Sequence, residues 1–199
     1  MANKQEAGFG LEASGVMGST PATSGQGKYW IDAADATAIY NGELVRITAG
    51  YVVTAQAAVT NPTQGVFNGC FYNDATTLKP TWVNYYPGGI TPANSEDTQA
   101  FVNDYPFQKY TIASDAAVAS SVPAAHVKFM ETFSVYANTG GSTSTGKSST
   151  TLDIGATNAT SHSWRLLRSA EEVENSDLTA AYCSVEVVQN LSEFVGTGT

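Results

Sequence analysis

The sequence is short of charged residues, and basic residues are the scarcer kind. Asp, Glu, Lys and Arg make up 14% of the 199 residues, whereas about 25% is usual in globular domains. Nine Lys and Arg stand against 18 Asp and Glu, which gives a formal net charge of −9. Because nucleic acid and anionic lipid attract clustered basic residues, we expect neither nucleic acid nor a membrane as a partner.

Residues that bind metals or carry redox chemistry are also few. The chain has two cysteines, Cys70 and Cys183, and two histidines, His126 and His162. Their separations fit no zinc or dithiol motif, so we expect reduced thiols in the core, with a disulfide as the alternative. The sequence indicates no catalytic residues, no metal site and no cofactor. A glycosidase-type carboxylate pair stays open, since an acidic chain offers many pairs.

Long apolar runs are missing as well. No stretch is long enough to span a bilayer, and the N-terminus M-A-N-K-Q-E-A-G lacks the basic start and apolar core of a secretory signal. We therefore expect neither a membrane anchor nor a secretory leader.

The residues that are abundant favour β-structure. Ser, Thr, Asn and Gly accompany ten Tyr and eight Phe, a composition typical of strands and turns. Short strand-like runs recur from residue 28 onward, and residues 181–191 alternate apolar and polar side chains. We predict a mainly β fold: an antiparallel β-sandwich or β-barrel with one or two short helical turns and an extended N-terminal arm. The helical turns are expected at residues 114–119 and after Ser169.

Residues 1–27 differ from the rest of the chain. They contain six glycines and offer only Phe9, Leu11, Val16 and Met17 as apolar anchors, too few for a core. We predict an extended Gly-rich arm over residues 1–27 and a single β-rich domain over residues 28–199. A disordered tail is the alternative to an arm that lies on a partner. Removal of residues 2–20 would then leave the stability of the domain nearly unchanged.

One stretch matches a catalytic motif letter for letter. Gly141 to Ser148 reads G-x-x-x-x-G-K-S, the phosphate-binding P-loop, with Lys147 and Ser148 at its functional positions. A P-loop requires a helix directly after the lysine, but residues 149–155 are β-prone and lack helical apolar spacing. We interpret the match as fortuitous. The stretch is predicted to be a polar loop between two strands, the first of them over residues 127–136.

Aromatic residues are the remaining candidates for a binding surface. Tyr85, Tyr86, Tyr105 and Tyr110, with Trp82, are candidates for a sugar-stacking platform. Aromatic residues more often serve cross-strand packing or subunit interfaces. Together with the anchors of the arm, this gives five predicted residues for a capsid or subunit interface: Phe9, Leu11, Tyr85, Tyr86 and Tyr105.

A series of stretches runs in a fixed order over most of the chain. They are Gly8-Phe9-Gly10-Leu11, A-I-Y-N-G-E-L-V at 38–45, G-V-F-N-G-C-F-Y at 65–72, A-F-V-N-D-Y-P at 100–106, T-G-K-S at 145–148, W-R-L-L-R at 164–168 and V-E-V-V-Q-N at 185–190. In this order they resemble the β-rich head decoration (cement) proteins of tailed bacteriophages.

The resemblance implies a non-enzymatic structural protein that binds the outer surface of the capsid and clamps neighbouring major capsid subunits. It also implies the major capsid protein as partner, a homotrimer at threefold or quasi-threefold positions, and a place on the virion after synthesis in the host cytoplasm. The alternative from a different class is a carbohydrate- or receptor-binding β-module of a virion surface.

Overall fold

The computed structural model describes residues 3–18, 25–55, 62–135, 140–155 and 162–194. In these ranges the chain forms strands, one short α-helix and one 3-10 turn, which confirms the prediction of a mainly β fold with short helical turns. The elements are β1 Glu12–Val16, β2 Gly27–Ile31, β3 Leu44–Thr48, β4 Tyr51–Thr54, β5 Gly65–Asn73, β6 Pro80–Val83, the 3-10 turn Ala93–Ser95, β7 Thr98–Asn103, β8 Gln108–Ala113, α1 Val122–Val127, β9 Thr132–Val135, β10 Leu152–Asp153, β11 Trp164–Ser169 and β12 Ser184–Gln189.

The strands form two antiparallel sheets. The first sheet has the order β1-β8-β12-β11-β9-β10. The second has the order β2-β7-β5-β3-β4, with β6 paired to β5. The sheets are not closed into a barrel, so the barrel alternative is excluded. The two sheets are joined directly by the turn between β7 and β8.

Two apolar clusters form the core. The larger cluster lies on the first sheet. Cys183, just before β12, and Val185 and Val187 on β12 are buried in this cluster, as the alternation in the sequence predicted. The smaller cluster covers one face of the second sheet and is closed by the loop residues Ile39 and Tyr86. Each sheet therefore buries one face, and the larger cluster also takes Leu44 and Val66 from the other face of the second sheet.

The cysteines are both buried and free, which confirms the prediction of reduced core thiols. Burial raises the pKa of Cys70 to about 12, so this thiol stays protonated at neutral pH. The Ser114 hydroxyl donates to Cys183 Sγ at 3.4 Å. Both thiols are part of the packing.

The helical segments are not where the sequence predicted them. Residues 115–119 and the residues after Ser169 form bends and turns, and α1 begins only at Val122. The Ser121 hydroxyl accepts from the Ala124 amide at 3.4 Å and caps this helix. Pro123 lies in the first turn, where a missing N–H breaks no helical hydrogen bond. The proline that was expected to stop a helix therefore lies at the start of one.

The strand predicted over residues 127–136 is shorter than expected. Its first residue ends α1, and β9 covers only Thr132–Val135. Residue 136 lies outside the described residues. Residues 128–130 form a turn between α1 and β9, which periodicity over so few residues does not separate from a strand.

Residues 3–18 lie along the fold of the chain itself. β1 pairs with β8 as the edge strand of the first sheet, and Leu11 belongs to the larger cluster with 3% exposure. The Asn3 side chain donates to Ala181 O at 2.9 Å. A glycine-rich segment joins a sheet in this way because edge pairing needs backbone hydrogen bonds rather than a core of its own.

The predicted boundary between an arm (1–27) and a domain (28–199) therefore does not separate the described residues. The segment 3–18 and strand β2 belong to the same fold as the rest. Residues 1–2 and 19–24 of the predicted arm lie outside the described residues.

Leu11→Ala should lower the free energy of unfolding by about 2–5 kcal/mol, the usual cost of truncating a buried leucine. Met17→Ala is the matched control, because this side chain in the same segment is 42% exposed and its loss should cost less than about 0.5 kcal/mol. Denaturant unfolding measures both values. A Leu11→Ala variant as stable as the wild type would show that the segment is not part of the core.

Candidate functional site

The P-loop match at residues 141–148 forms a turn that is closed by its own backbone. The Gly146 amide donates to Ser142 O at 2.6 Å, and the Ser142 amide donates to Lys147 O at 2.9 Å. The Ser148 amide donates to Asn41 O at 2.9 Å. These amides are engaged within the chain, and strand β10 follows where a P-loop requires a helix. The loop differs from a phosphate-binding loop in its engaged amides and in the strand that follows it.

The Lys147 side chain forms an ion pair with Glu12 of β1. The two side chains are 50% and 47% exposed, so the pair adds little stability. A Cβ atom at Gly141 would overlap the Tyr40 ring, which shows how closely this loop lies against the residues before β3. The lysine therefore connects the loop to the N-terminal segment at the surface.

The turn at residues 40–43, which we name the clasp turn, joins three segments that are distant in sequence. The Leu11 amide donates to Gly42 O, the Asn41 amide to Gly146 O and the Gly42 amide to Phe67 O, each at 2.9 Å. Gly42 has a φ of +83°, which favours glycine. The clasp turn thereby fixes the N-terminal segment and the loop 140–148 against β5.

Glu43 ends the clasp turn and is 1% exposed. Its Oε2 accepts from the Tyr40 amide at 2.9 Å, while Oε1 has no hydrogen-bond partner among the described residues. Burial raises the pKa of this carboxyl from 4.5 to about 7. The protonated form is therefore the one that the fold stabilises.

Two of the five predicted interface residues are core residues. Leu11 is 3% exposed and Tyr86 is 0% exposed, so neither side chain is available to a partner. The Tyr86 hydroxyl donates to Asp35 O at 2.7 Å. Tyr110 is buried as well, at 1% exposure. Tyr86 and Tyr110 are therefore excluded from the predicted sugar-stacking platform. Leu11, Tyr86 and Tyr110 pack in the core clusters against residues distant in sequence, contacts that local sequence patterns do not predict.

The other three predicted interface residues lie nearer the surface. Phe9 is half-buried. Tyr85 is half-buried and stacks on Tyr40, with 5.6 Å between the ring centroids and 4° between the ring planes. Tyr105 is 47% exposed, and its ring contacts Phe107. The observed ring contacts therefore pair Tyr85 and Tyr105 with different neighbours.

A row of aromatic side chains crosses the second sheet on the face opposite the smaller cluster. The strand register pairs Trp30 with Gln99, Gln99 with Phe71, and Phe71 with Trp82. Directly paired residues point to the same side of a sheet, so these side chains form a row from β2 to β6. Phe101 extends the row, since its ring meets the Trp82 ring at 4.9 Å between centroids. We name Trp30, Phe71, Trp82 and Phe101 the aromatic face.

The aromatic face is open to solvent. Trp30 is 50% and Trp82 is 49% exposed, and Phe71 and Phe101 are half-buried. The Lys28 ammonium lies 5.8 Å from the centroid of the Phe101 ring. Grouped apolar side chains on a surface indicate an interaction site more strongly than scattered ones do.

Gly69 gives Trp82 its place on the sheet. The pairing of β5 with β7 has a bulge between Phe67 and Gly69, and a Cβ atom at Gly69 would lie 2.6 Å from the Trp82 ring. A side chain there would displace the indole. The sequence predicted a bulge or a close approach at Gly69, and the structure has both.

A cavity, which we name the notch, opens at the Trp30 end of the aromatic face. It has a volume of about 530 Å³ and is lined by Trp30, Ala49, Gly50, Tyr51, Glu96 and Asp97. The Tyr51 hydroxyl donates to Asp97 Oδ2 at 3.1 Å. The turn between β3 and β4, which the sequence predicted at residues 48–50, supplies one wall.

Comparison with protein-family models, with curated proteins and with solved structures gives no match for the chain. Within the described ranges, no group of three or more His, Cys, Asp or Glu side chains is placed to hold a metal ion. None of the helical segments in the same ranges is long and apolar enough to cross a membrane. The aromatic face and the notch are the candidate binding surfaces of the described chain.

The sequence held one signal for the aromatic face. Residues 28–31 alternate, with Lys28 and Trp30 on one side of β2 and Tyr29 and Ile31 on the other. The neighbours of Trp30 across the sheet depend on strand order and on the bulge at Gly69, which no local pattern specifies. Trp82 is therefore the one residue of the aromatic face that the sequence predicts as a candidate for a binding surface.

The stability of the chain should depend on the protonation of Glu43. Because the folded state holds a proton that the unfolded state releases above its pKa of 4.5, the free energy of unfolding should fall as the pH rises from about 4.5 to about 7 and should level off above that. The shift corresponds to roughly 3 kcal/mol. Glu43→Gln keeps an acceptor for the Tyr40 amide and should remove this contribution, so the variant should be the more stable protein at about pH 8.

Denaturant unfolding of the wild type and of Glu43→Gln at a series of pH values measures the effect. Glu6→Gln removes an exposed carboxylate and should keep the pH dependence of the wild type. Parallel stability curves for the wild type and Glu43→Gln would contradict the assignment.

Proposed function

We propose that the chain is a non-enzymatic structural virion protein that binds the outer surface of a tailed-phage capsid and clamps neighbouring major capsid subunits. The observation that supports this most is the aromatic face. Two half-exposed tryptophans and two phenylalanines lie together on a chain with only 14% charged residues. Such a surface is costly to leave in water and suits the centre of an interface.

The charge of the chain supports a place on the outside of the shell. A net charge of −9 is repelled by packaged DNA, so the proposal includes neither nucleic acid nor a membrane as a partner. The major capsid protein is the proposed partner. Synthesis in the host cytoplasm would precede attachment to the virion.

The contact with the shell is assigned to the aromatic face rather than to an N-terminal arm. Residues 3–18 are held by β8, by the clasp turn and by the 177–181 loop of the same chain. β1 and the amides of Lys4, Gly10, Leu11 and Met17 are therefore already hydrogen-bonded within the chain. Trp30 and Trp82 of the aromatic face, in contrast, are 50% and 49% exposed.

A homotrimer at threefold or quasi-threefold positions is part of the proposal. A contact made by one copy is repeated around such an axis. Linked copies that bind the same shell have a higher overall affinity than one copy, although each individual contact is unchanged. The proposal thus needs only a modest interface per copy.

A carbohydrate- or receptor-binding module is the second candidate. The row Trp30–Phe71–Trp82 favours it, because an open line of rings beside the polar side chain of Gln99 also suits stacking against sugar rings. Glycan-array binding without affinity for capsids would support this candidate and contradict the first.

Trp30→Ala should weaken binding to capsids that lack the protein by about tenfold or more, because truncation of a tryptophan in an interface is among the most costly changes. Trp82→Ala should have a similar effect. Co-sedimentation of purified protein with the capsids gives the affinities, and thermal unfolding shows that each variant is folded.

Val173→Ala is the matched control, since this apolar side chain is 99% exposed in another loop and its removal should leave the affinity unchanged. Wild-type affinity in a folded Trp30→Ala, Trp82→Ala double variant would contradict the assignment of the aromatic face to the shell.

A further inference from the structure

The notch combines an exposed indole with two carboxylates. Trp30 forms one wall, and Glu96 and Asp97 lie beside it. Asp97 is held in place, because its Oδ2 accepts from the Tyr51 hydroxyl at 3.1 Å and its Oδ1 accepts from the Ala33 amide at 3.2 Å. Glu96 is exposed, and in the described part of the chain its carboxylate has no hydrogen bond or ion pair. One carboxylate is thus fixed and the other is free to move toward a ligand.

The negative charge at the notch extends into a second cavity. This cavity also has a volume of about 530 Å³, shares Ala49 and Tyr51 with the notch, and includes Asp32, Asp35 and Arg46 in its lining. Among the described residues, the Lys and Arg ion pairs lie elsewhere and involve Glu12, Glu174 and Glu186. Arg46 lines the second cavity and not the notch. No Lys or Arg of the described ranges forms an ion pair with the carboxylates of the notch.

We infer that the notch receives an arginine side chain of the protein partner, with its guanidinium stacked on Trp30 and hydrogen-bonded to Glu96 and Asp97. This inference rests on the proposed function in taking the partner to be a protein surface. A guanidinium is planar, stacks on indole and presents its donors as a fork that suits carboxylates. Lysine offers a point charge without the planar stacking surface.

Charge complementarity selects this occupant over a sugar. A neutral saccharide would use the Trp30 ring but would gain nothing from the net charge of two adjacent carboxylates. The inference therefore predicts a charge-dependent and salt-sensitive contact.

A second copy of this chain is a poor source of the arginine. Arg165 donates to Met130 O at 2.9 Å and to Asn190 Oδ1 at 3.0 Å. Arg168 donates to Glu186 Oε2 at 2.9 Å. Arg46 already lies in the cavity beside the notch. The three arginines of the chain are thus engaged or badly placed, and the partner surface is the source that remains.

The test uses the full chain and a short peptide, acetyl-Gly-Ser-Arg-Ser-Gly-amide, with a citrulline peptide as the neutral isostere. The indole N–H signals of the three tryptophans are followed by NMR during titration, and Trp30→Phe assigns the signal of Trp30. The arginine peptide should shift that signal in a saturable way, and the citrulline peptide should not. Glu96→Gln should lower the affinity for the arginine peptide roughly threefold to tenfold. Glu6→Gln, which removes an exposed carboxylate elsewhere, should leave that affinity unchanged.

Equal shifts from both peptides, a shift confined to other tryptophans, or full affinity in Glu96→Gln would overturn the inference. Saturable shifts of the Trp30 signal by an oligosaccharide, unaffected by Glu96→Gln, would assign the notch to a sugar instead.

Binding of the same variants to capsids separates this inference from the proposed function. If the wild type and Glu96→Gln bind capsids equally well, the arginine contact is wrong and the capsid function stands. If the wild type takes up the arginine peptide but has no affinity for capsids, the proposed function is wrong and the notch chemistry stands.

Discussion

Backbone hydrogen bonds of the clasp turn hold distant parts of the fold together at one place. Residues 40–43 hold the Leu11 amide, the backbone of the loop 140–148 and the Phe67 carbonyl of β5. Three segments far apart in sequence are thereby fixed at one place, with the buried carboxyl of Glu43 inside the turn. Because Leu11 is seated here, the N-terminal segment becomes an edge strand of the first sheet instead of a free arm.

The placement of the two apolar clusters explains why the aromatic face is open. The smaller cluster buries one side of the second sheet beneath the loops that carry Ile39 and Tyr86. On the other side, the larger cluster takes Leu44 and Val66, together with Ala55 just after β4. On the remainder of that side, Trp30 and Trp82 are 50% and 49% exposed, which is why a partner surface is the complement in our proposal.

Features that depend on a few neighbouring residues could be predicted from the sequence. The hairpin at residues 48–50, the close approach at Gly69 and the buried face around Cys183 follow from local alternation and turn chemistry. β1 could not be predicted, because its glycine-rich sequence has no alternation and its partner is Thr111 and the residues beside it on β8. The burial of Tyr86 and the neighbours of Trp30 depend on loop packing and strand register, which are set by the whole fold.

The claim that the chain decorates a capsid through its aromatic face is tested most directly by imaging. Purified chain is added to capsids that lack it, and the particles are examined by cryo-electron microscopy with symmetry averaging. We expect saturable, symmetric density on the outside of the shell, with the aromatic face turned toward the shell or a neighbouring copy. Absence of ordered density, or density in which that side faces solvent, would contradict it.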